Sequence, residues 1–185
     1  MLPFDKHPYY QVLSGRGFVG VDFIVVTPDD QLILLEVKNY AQPKGDHVSA
    51  RLPRFITDPD VYQRRILRKF SDTLRAIFIV RKMLRRKVWY GILLQYVVFM
   101  KAWRPEWYFW TRVADIAKID QQVYRILWME IPDEIENYTV TELEKERKKL
   151  IDRFRHLDPN NDKHLVLSWR TKKYVLLNSV EVEKC

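Results

Sequence analysis

The chain is predicted to be an α/β domain in which helices flank a central mixed sheet. Three observations lead there. Two β-branched and aliphatic runs, over 19–27 and 32–38, flank Pro28-Asp29-Asp30, residues that favour a turn, and so read as a β-hairpin. A long amphipathic segment over 61–87 follows and reads as a helix. After it, VWYGILLQYVVFMKA over 88–102 is rich in branched and aromatic residues and reads as a buried strand, placed after a helix as in an α/β crossover.

The remaining elements are taken in chain order. Residues 9–13 are expected to form a preceding strand, with Gly15, Gly17 and Gly20 bending the chain before the hairpin. Residues 40–57 turn to Pro, Gly, Lys, Asp and His, the composition of a long and functional loop. Asp58 and Asp60 stand where an N-cap and first turn favour acids, which starts the long helix. Residues 103–112 read as an edge strand or loop, and 114–129 as a helix. Thr141 with Glu144 forms a capping-box pattern, and Leu143, Leu150, Ile151, Phe154 and Leu157 supply the apolar stripe of a later helix. Residues 163–182 close as a hairpin. No linker splits the chain, so a single domain over 1–185 is expected, its core over 9–102 and completed by 103–185.

Composition narrows the function. With 47% hydrophobic residues in 185, the chain can bury a core without disulfides, which excludes a disordered polypeptide. No run reads as a membrane span or signal peptide, and the one cysteine, Cys185, allows no internal disulfide, so a cytoplasmic location is expected. Thirty-two Lys and Arg against 24 Asp and Glu give a net charge of +8, a field that favours polyanions without choosing among them.

Chemistry concentrates at one end of the hairpin. Asp22 opens its first strand and Glu36-Val37-Lys38 closes its second. Side chains alternate along a strand, so Glu36 and Lys38 share a face, and Asp22 joins them only if an odd-numbered loop such as 28–30 sets the register. Neighbouring positions are apolar on both faces, which makes the hairpin internal. Two carboxylates and an ammonium there cost several kcal/mol unless they are paired or bound to a cation. Lys38 neutralising the acids is one solution, and a bound metal is another.

The run VDFIVVTPDDQLILLEVKNY resembles the core hairpin of the PD-(D/E)xK nuclease superfamily, the restriction-endonuclease-like proteins, in the spacing of Asp22 and Glu36-Val37-Lys38. The resemblance implies a restriction-endonuclease-like sheet and a metal-dependent nuclease acting on DNA. Asp22 and Glu36, with the Val37 carbonyl, would hold Mg²⁺ or Mn²⁺, and Lys38 would orient water or stabilise charge on phosphorus. It also implies a polar residue early on the following helix, the place of Gln63, which helical periodicity independently sets facing inward with Leu67, Phe70, Leu74, Ile77 and Phe78. Family members usually have a helix before the first strand, often contributing a further acid. Only 21 residues precede Asp22 here and Asp5 is their one acid, so that helix is expected to be missing, replaced or supplied by a partner. The rival expectation is therefore a catalytically inactive nuclease-fold module that binds nucleic acid or a protein.

Other signals bear on partners. The long helix carries ten basic residues against Asp72 as its one acid after Asp60, and Arg64, Arg68 and Arg75, with Lys44 in the preceding loop, are expected to contact nucleic acid. Arg81 alone falls on the inward stripe, where it needs a carboxylate. The aromatic and basic cluster Trp103, Trp107, Trp110 and Arg112 suits base stacking, a core or a homo-oligomer interface.

Overall fold

The computed structural model describes residues 1–40, 54–86, 105–130, 139–157, 164–168, 174–177 and 180–182. The expected strand over 88–102 and the loop carrying Lys44 lie outside the described residues. The chain forms two compact units, Met1–Leu34 with Arg68–Val123, and Leu35–Leu67 with Tyr124–Cys185.

In the first unit, β1 (Leu2–Pro3) pairs antiparallel with β2 (Phe23–Val26), Leu2 opposite Ile24. The expected strand at 9–13 is instead a helix, α1 (Pro8–Ser14). His7 caps it, its Nδ1 accepting the Tyr9 N–H at 3.4 Å, and Pro8 starts it where a missing N–H costs nothing. A short helix thus precedes β2 after all, and no acid lies in its first turn. Gly17 adopts a left-handed φ of 84° after it. Gly20 lets the chain pass against aromatic rings, because a Cβ there would meet Tyr10 at 2.6 Å and Phe4 at 2.8 Å.

The turn after β2 has the expected odd length. Thr27 donates its N–H to the Gln31 carbonyl at 3.0 Å, Asp30 donates to the Thr27 carbonyl at 3.3 Å, and Asp30 takes a φ of 55°. This is a three-residue loop ending in a left-handed residue, a geometry that favours Gly, Asn or Asp. It leads into β3 (Leu32–Asn39), whose Leu32, Ile33 and Leu34 are buried.

The helix α3 (Pro59–Arg86) runs close to the expected 61–87, and the Asp58 side chain accepts the Val61 N–H at 3.2 Å. Its buried seam in the first unit follows Phe70, Thr73, Ile77, Val80 and Leu84. That is a correction to the expected stripe, since Phe78 is 39% exposed and Leu74 only half-buried. The seam turned toward Asp72 and Thr73 because these side chains accept the N–H groups of Val19 and Val21, at 3.3 and 3.0 Å. They satisfy backbone donors that no ladder reaches.

Residues expected as an edge strand or loop form α4 (Pro105–Ile116), with Trp110, Val113 and Ala114 buried at helical spacing. The Trp110 ring lies 5.3 Å from His7 and 6.0 Å from Phe4. The expected helix over 114–129 therefore ends at Ile116, and after a 3-10 turn at Asp120–Gln122 the chain becomes β4 (Val123–Glu130).

In the second unit, β3 continues to Asn39 and lies beside β4, with Tyr40 donating its N–H to the Glu130 carbonyl at 2.8 Å. A helical turn, α2 (Arg54–Thr57), precedes α3. The later helix is α5 (Val140–Leu157), with Leu150 and Phe154 buried. Its capping box lies two residues earlier than expected, since Thr139 donates its N–H and its hydroxyl to Glu142 at 2.8 and 2.9 Å. α5 serves as the crossover to β5 (His164–Ser168), which pairs in parallel with β4, Arg125 opposite His164. The expected closing hairpin is corrected accordingly. Among the described residues of 163–182, β6 (Tyr174–Leu177) and β7 (Val180–Val182) form the antiparallel pair, in a separate two-stranded sheet. The α/β class and the mixed sheet are as the sequence predicts.

Candidate active site

The site begins on the second half of β3. Glu36, Lys38 and Tyr40 alternate along the chain and so project to one side of the strand. The Glu36 side chain is fully buried, and the Lys38 ammonium forms an ion pair with it while keeping 31% of its own side chain exposed. An ionised carboxylate away from water is costly without such a partner. Val37, between them, is half-buried and points the other way.

The first turns of α3 supply Tyr62 and Gln63, both buried. The Tyr40 hydroxyl donates to that of Tyr62 at 3.3 Å. Burial pushes both phenols above their ordinary value, and the negative charge of Glu36 acts in the same direction against the pull of Arg65. Both are therefore neutral hydroxyl donors near pH 7. Gln63 faces inward as expected, and its amide nitrogen donates to the Arg153 carbonyl of α5 at 2.9 Å. An ion pair between Arg153 and Asp60 joins the same two helices. Sequence reasoning missed Tyr62, because an inward tyrosine on an amphipathic helix carries no signal that separates it from packing. Its proximity to the charged end of β3 is a tertiary fact.

Asp22 belongs to the first unit, half-buried just before β2, where its carbonyl accepts the Phe4 N–H at 2.8 Å. Arg64 is exposed on the first turns of α3. Arg68 and Arg75 are 65% and 72% exposed and both approach Asp72, at 3.4 and 3.7 Å. Arg81 has the carboxylate its inward position demanded, Asp115 at 2.7 Å. From the aromatic and basic cluster, Trp110 is core, and Arg112 pairs with Asp30 at 2.6 Å beside the β2–β3 turn.

Among the described residues, no three or more His, Cys, Asp or Glu side chains are grouped to hold a metal. None of their helices is long and apolar enough to cross a membrane. Comparisons with protein-family models, curated proteins and solved structures find no match.

Proposed function

We propose that the chain is a divalent-metal-dependent nuclease with a restriction-endonuclease-like core, hydrolysing DNA phosphodiester bonds. The observation that carries the reading is the fully buried Glu36 carboxylate with the Lys38 ammonium two residues further on the same strand face. The turn supports it. Thr27 lies opposite Gln31, which closes the odd-numbered loop on which the expected parity of Asp22 with Glu36 and Lys38 depends. The net charge of +8 suits a polyanionic substrate.

The donor chemistry fits Mg²⁺ or Mn²⁺. Carboxylate oxygens of Glu36 and Asp22, with the Val37 carbonyl, are the hard ligands such ions prefer, and they would hold the ion. When bound, the ion supplies a positive charge that polarises a phosphodiester and lowers the pKa of water. Lys38 neutralises Glu36 in the free protein while 31% of its side chain stays exposed, and its ammonium would stabilise charge on phosphorus. Tyr40 and Tyr62 flank Glu36 with neutral hydroxyls, and Gln63, next to Tyr62 on α3, would supply a further polar group. Arg64, Arg68, Arg75 and Lys44 would contact phosphates.

One observation favours the second reading, an inactive nuclease-fold module that binds nucleic acid or a protein. The helix before β2 has the sequence PYYQVLS and contains no carboxylate. Calorimetric titration with Mn²⁺ separates the two. The nuclease reading predicts binding heat that disappears in Asp22→Ala and in Glu36→Gln, and the module reading predicts no such heat in the wild type.

A further inference from the structure

The outward turn of Phe78 changes what α3 can do. Within the unit that contains Arg68–Val123, the exposed positions Arg68, Ser71, Arg75, Phe78, Lys82 and Arg85 fall within an arc of about 100° on the helix. Arg68, Arg75 and Lys82 recur every seven residues, about 10.5 Å apart along the axis. The one acid on this part of α3, Asp72, is buried and accepts the Val19 N–H. It leaves the surface cationic while holding the guanidinium groups of Arg68 and Arg75 in place on either side. Arg68 is further fixed by donating to the Gly17 carbonyl at 3.2 Å.

Phe78 lies between Arg75 and Lys82 on this cationic stripe, 39% exposed. Cations alone would serve any polyanion, but a phenyl exposed among them adds a face on which a planar base can stack. Bases in a duplex are already stacked on one another, whereas an unpaired base has a free face. We infer that this face of α3 is a track for single-stranded nucleic acid, with Arg68, Arg75 and Lys82 on phosphates and Phe78 stacked on a base. This deepens the nuclease reading by naming the strandedness of its substrate, and rests on it only for nucleic acid as the partner.

The test is fluorescence anisotropy of the full chain with a labelled mixed-sequence single strand and with its duplex, in EDTA so that no cleavage intervenes. The track predicts tighter binding of the single strand. Phe78→Ala should weaken that binding about tenfold and leave duplex binding unchanged, and Phe78→Trp should retain it. Arg75→Gln with Lys82→Gln should reduce the slope of log affinity against log salt by about 1.4, two phosphates' worth for a single strand. Circular dichroism of each variant checks the fold, which an exposed substitution should leave intact. Wild-type binding by Phe78→Ala, equal losses on single strand and duplex, or preferential binding to phosphatidylserine vesicles would overturn the track. Absence of cleavage when Mg²⁺ is restored would count against the nuclease reading alone.

Discussion

Arg81 illustrates how a single charged side chain was legible before any coordinates. A cation on the inward face of an amphipathic helix must find a carboxylate, and Asp115 meets it at 2.7 Å, with Lys118 on the same oxygen at 2.8 Å. Burial pushes the Asp115 carboxyl up, but Lys118 and Arg81 together hold it below the usual range. Because the folded value is depressed, the ionised group stabilises the protein above about pH 4 and that contribution is lost as pH falls below it. Asp115→Asn should flatten the acid limb of a stability-versus-pH curve measured by urea unfolding. Arg81→Ala should cost about 1–3 kcal/mol, less than a fully buried pair because Asp115 is half exposed. Gly20→Ala should cost a similar amount, about 1–3 kcal/mol, since its Cβ would run into the rings of Tyr10 and Phe4. Thermal denaturation of both variants checks these values. Phe78 was misread for a physical reason. Periodicity alone places an apolar residue inside, and only the bonds from Asp72 and Thr73 to the backbone of Val19 and Val21 show that polar residues hold the seam and roll Phe78 outward.

Local signals worked where they were stereochemical and failed where neighbouring strands decided. The Pro28-Asp29-Asp30 turn, the Asp58 cap and the length of α3 follow from backbone preferences that act within a few residues. Residues 123–129 read as helix because a short apolar run looks alike in both states, and the partners β3 and β5 of the strand they form come from distant sequence. At 9–13 the β-prone tyrosines outweighed His7-Pro8, the pair that starts α1. The start of α5 offers a direct test. The N–H and hydroxyl of Thr139 hold the Glu142 carboxyl below its ordinary value. That capping contribution is present above about pH 4.5 and is lost as pH falls through the depressed value. Glu142→Gln should remove this part of the acid dependence of helicity, and Thr139→Ala should lower thermal stability, both followed by far-UV circular dichroism.

The net charge of +8 predicts that nucleic-acid affinity falls steeply with salt, and anisotropy at several ionic strengths should give a linear log–log plot. Charge says nothing about hydrolysis, and the fold class says little more, because one α/β architecture hosts many activities. The hydrolytic reading stands on residues: a carboxylate buried completely near the end of β3, the ammonium of Lys38 upon it, and the odd-numbered turn on which the expected parity of Asp22 depends. Its expected metal dependence rests on what the family resemblance of that spacing implies, whereas the phenol pair of Tyr40 and Tyr62 beside Glu36 required the structure. The most direct measurement is cleavage of labelled single-stranded and duplex DNA with Mg²⁺ or Mn²⁺ by the wild type, Asp22→Ala and Lys38→Ala. The nuclease reading predicts metal-dependent cutting that both substitutions reduce by about a hundredfold or more, as expected when a group stabilising transition-state charge is removed. Binding without cutting by a folded wild type, unchanged in both variants, would contradict it.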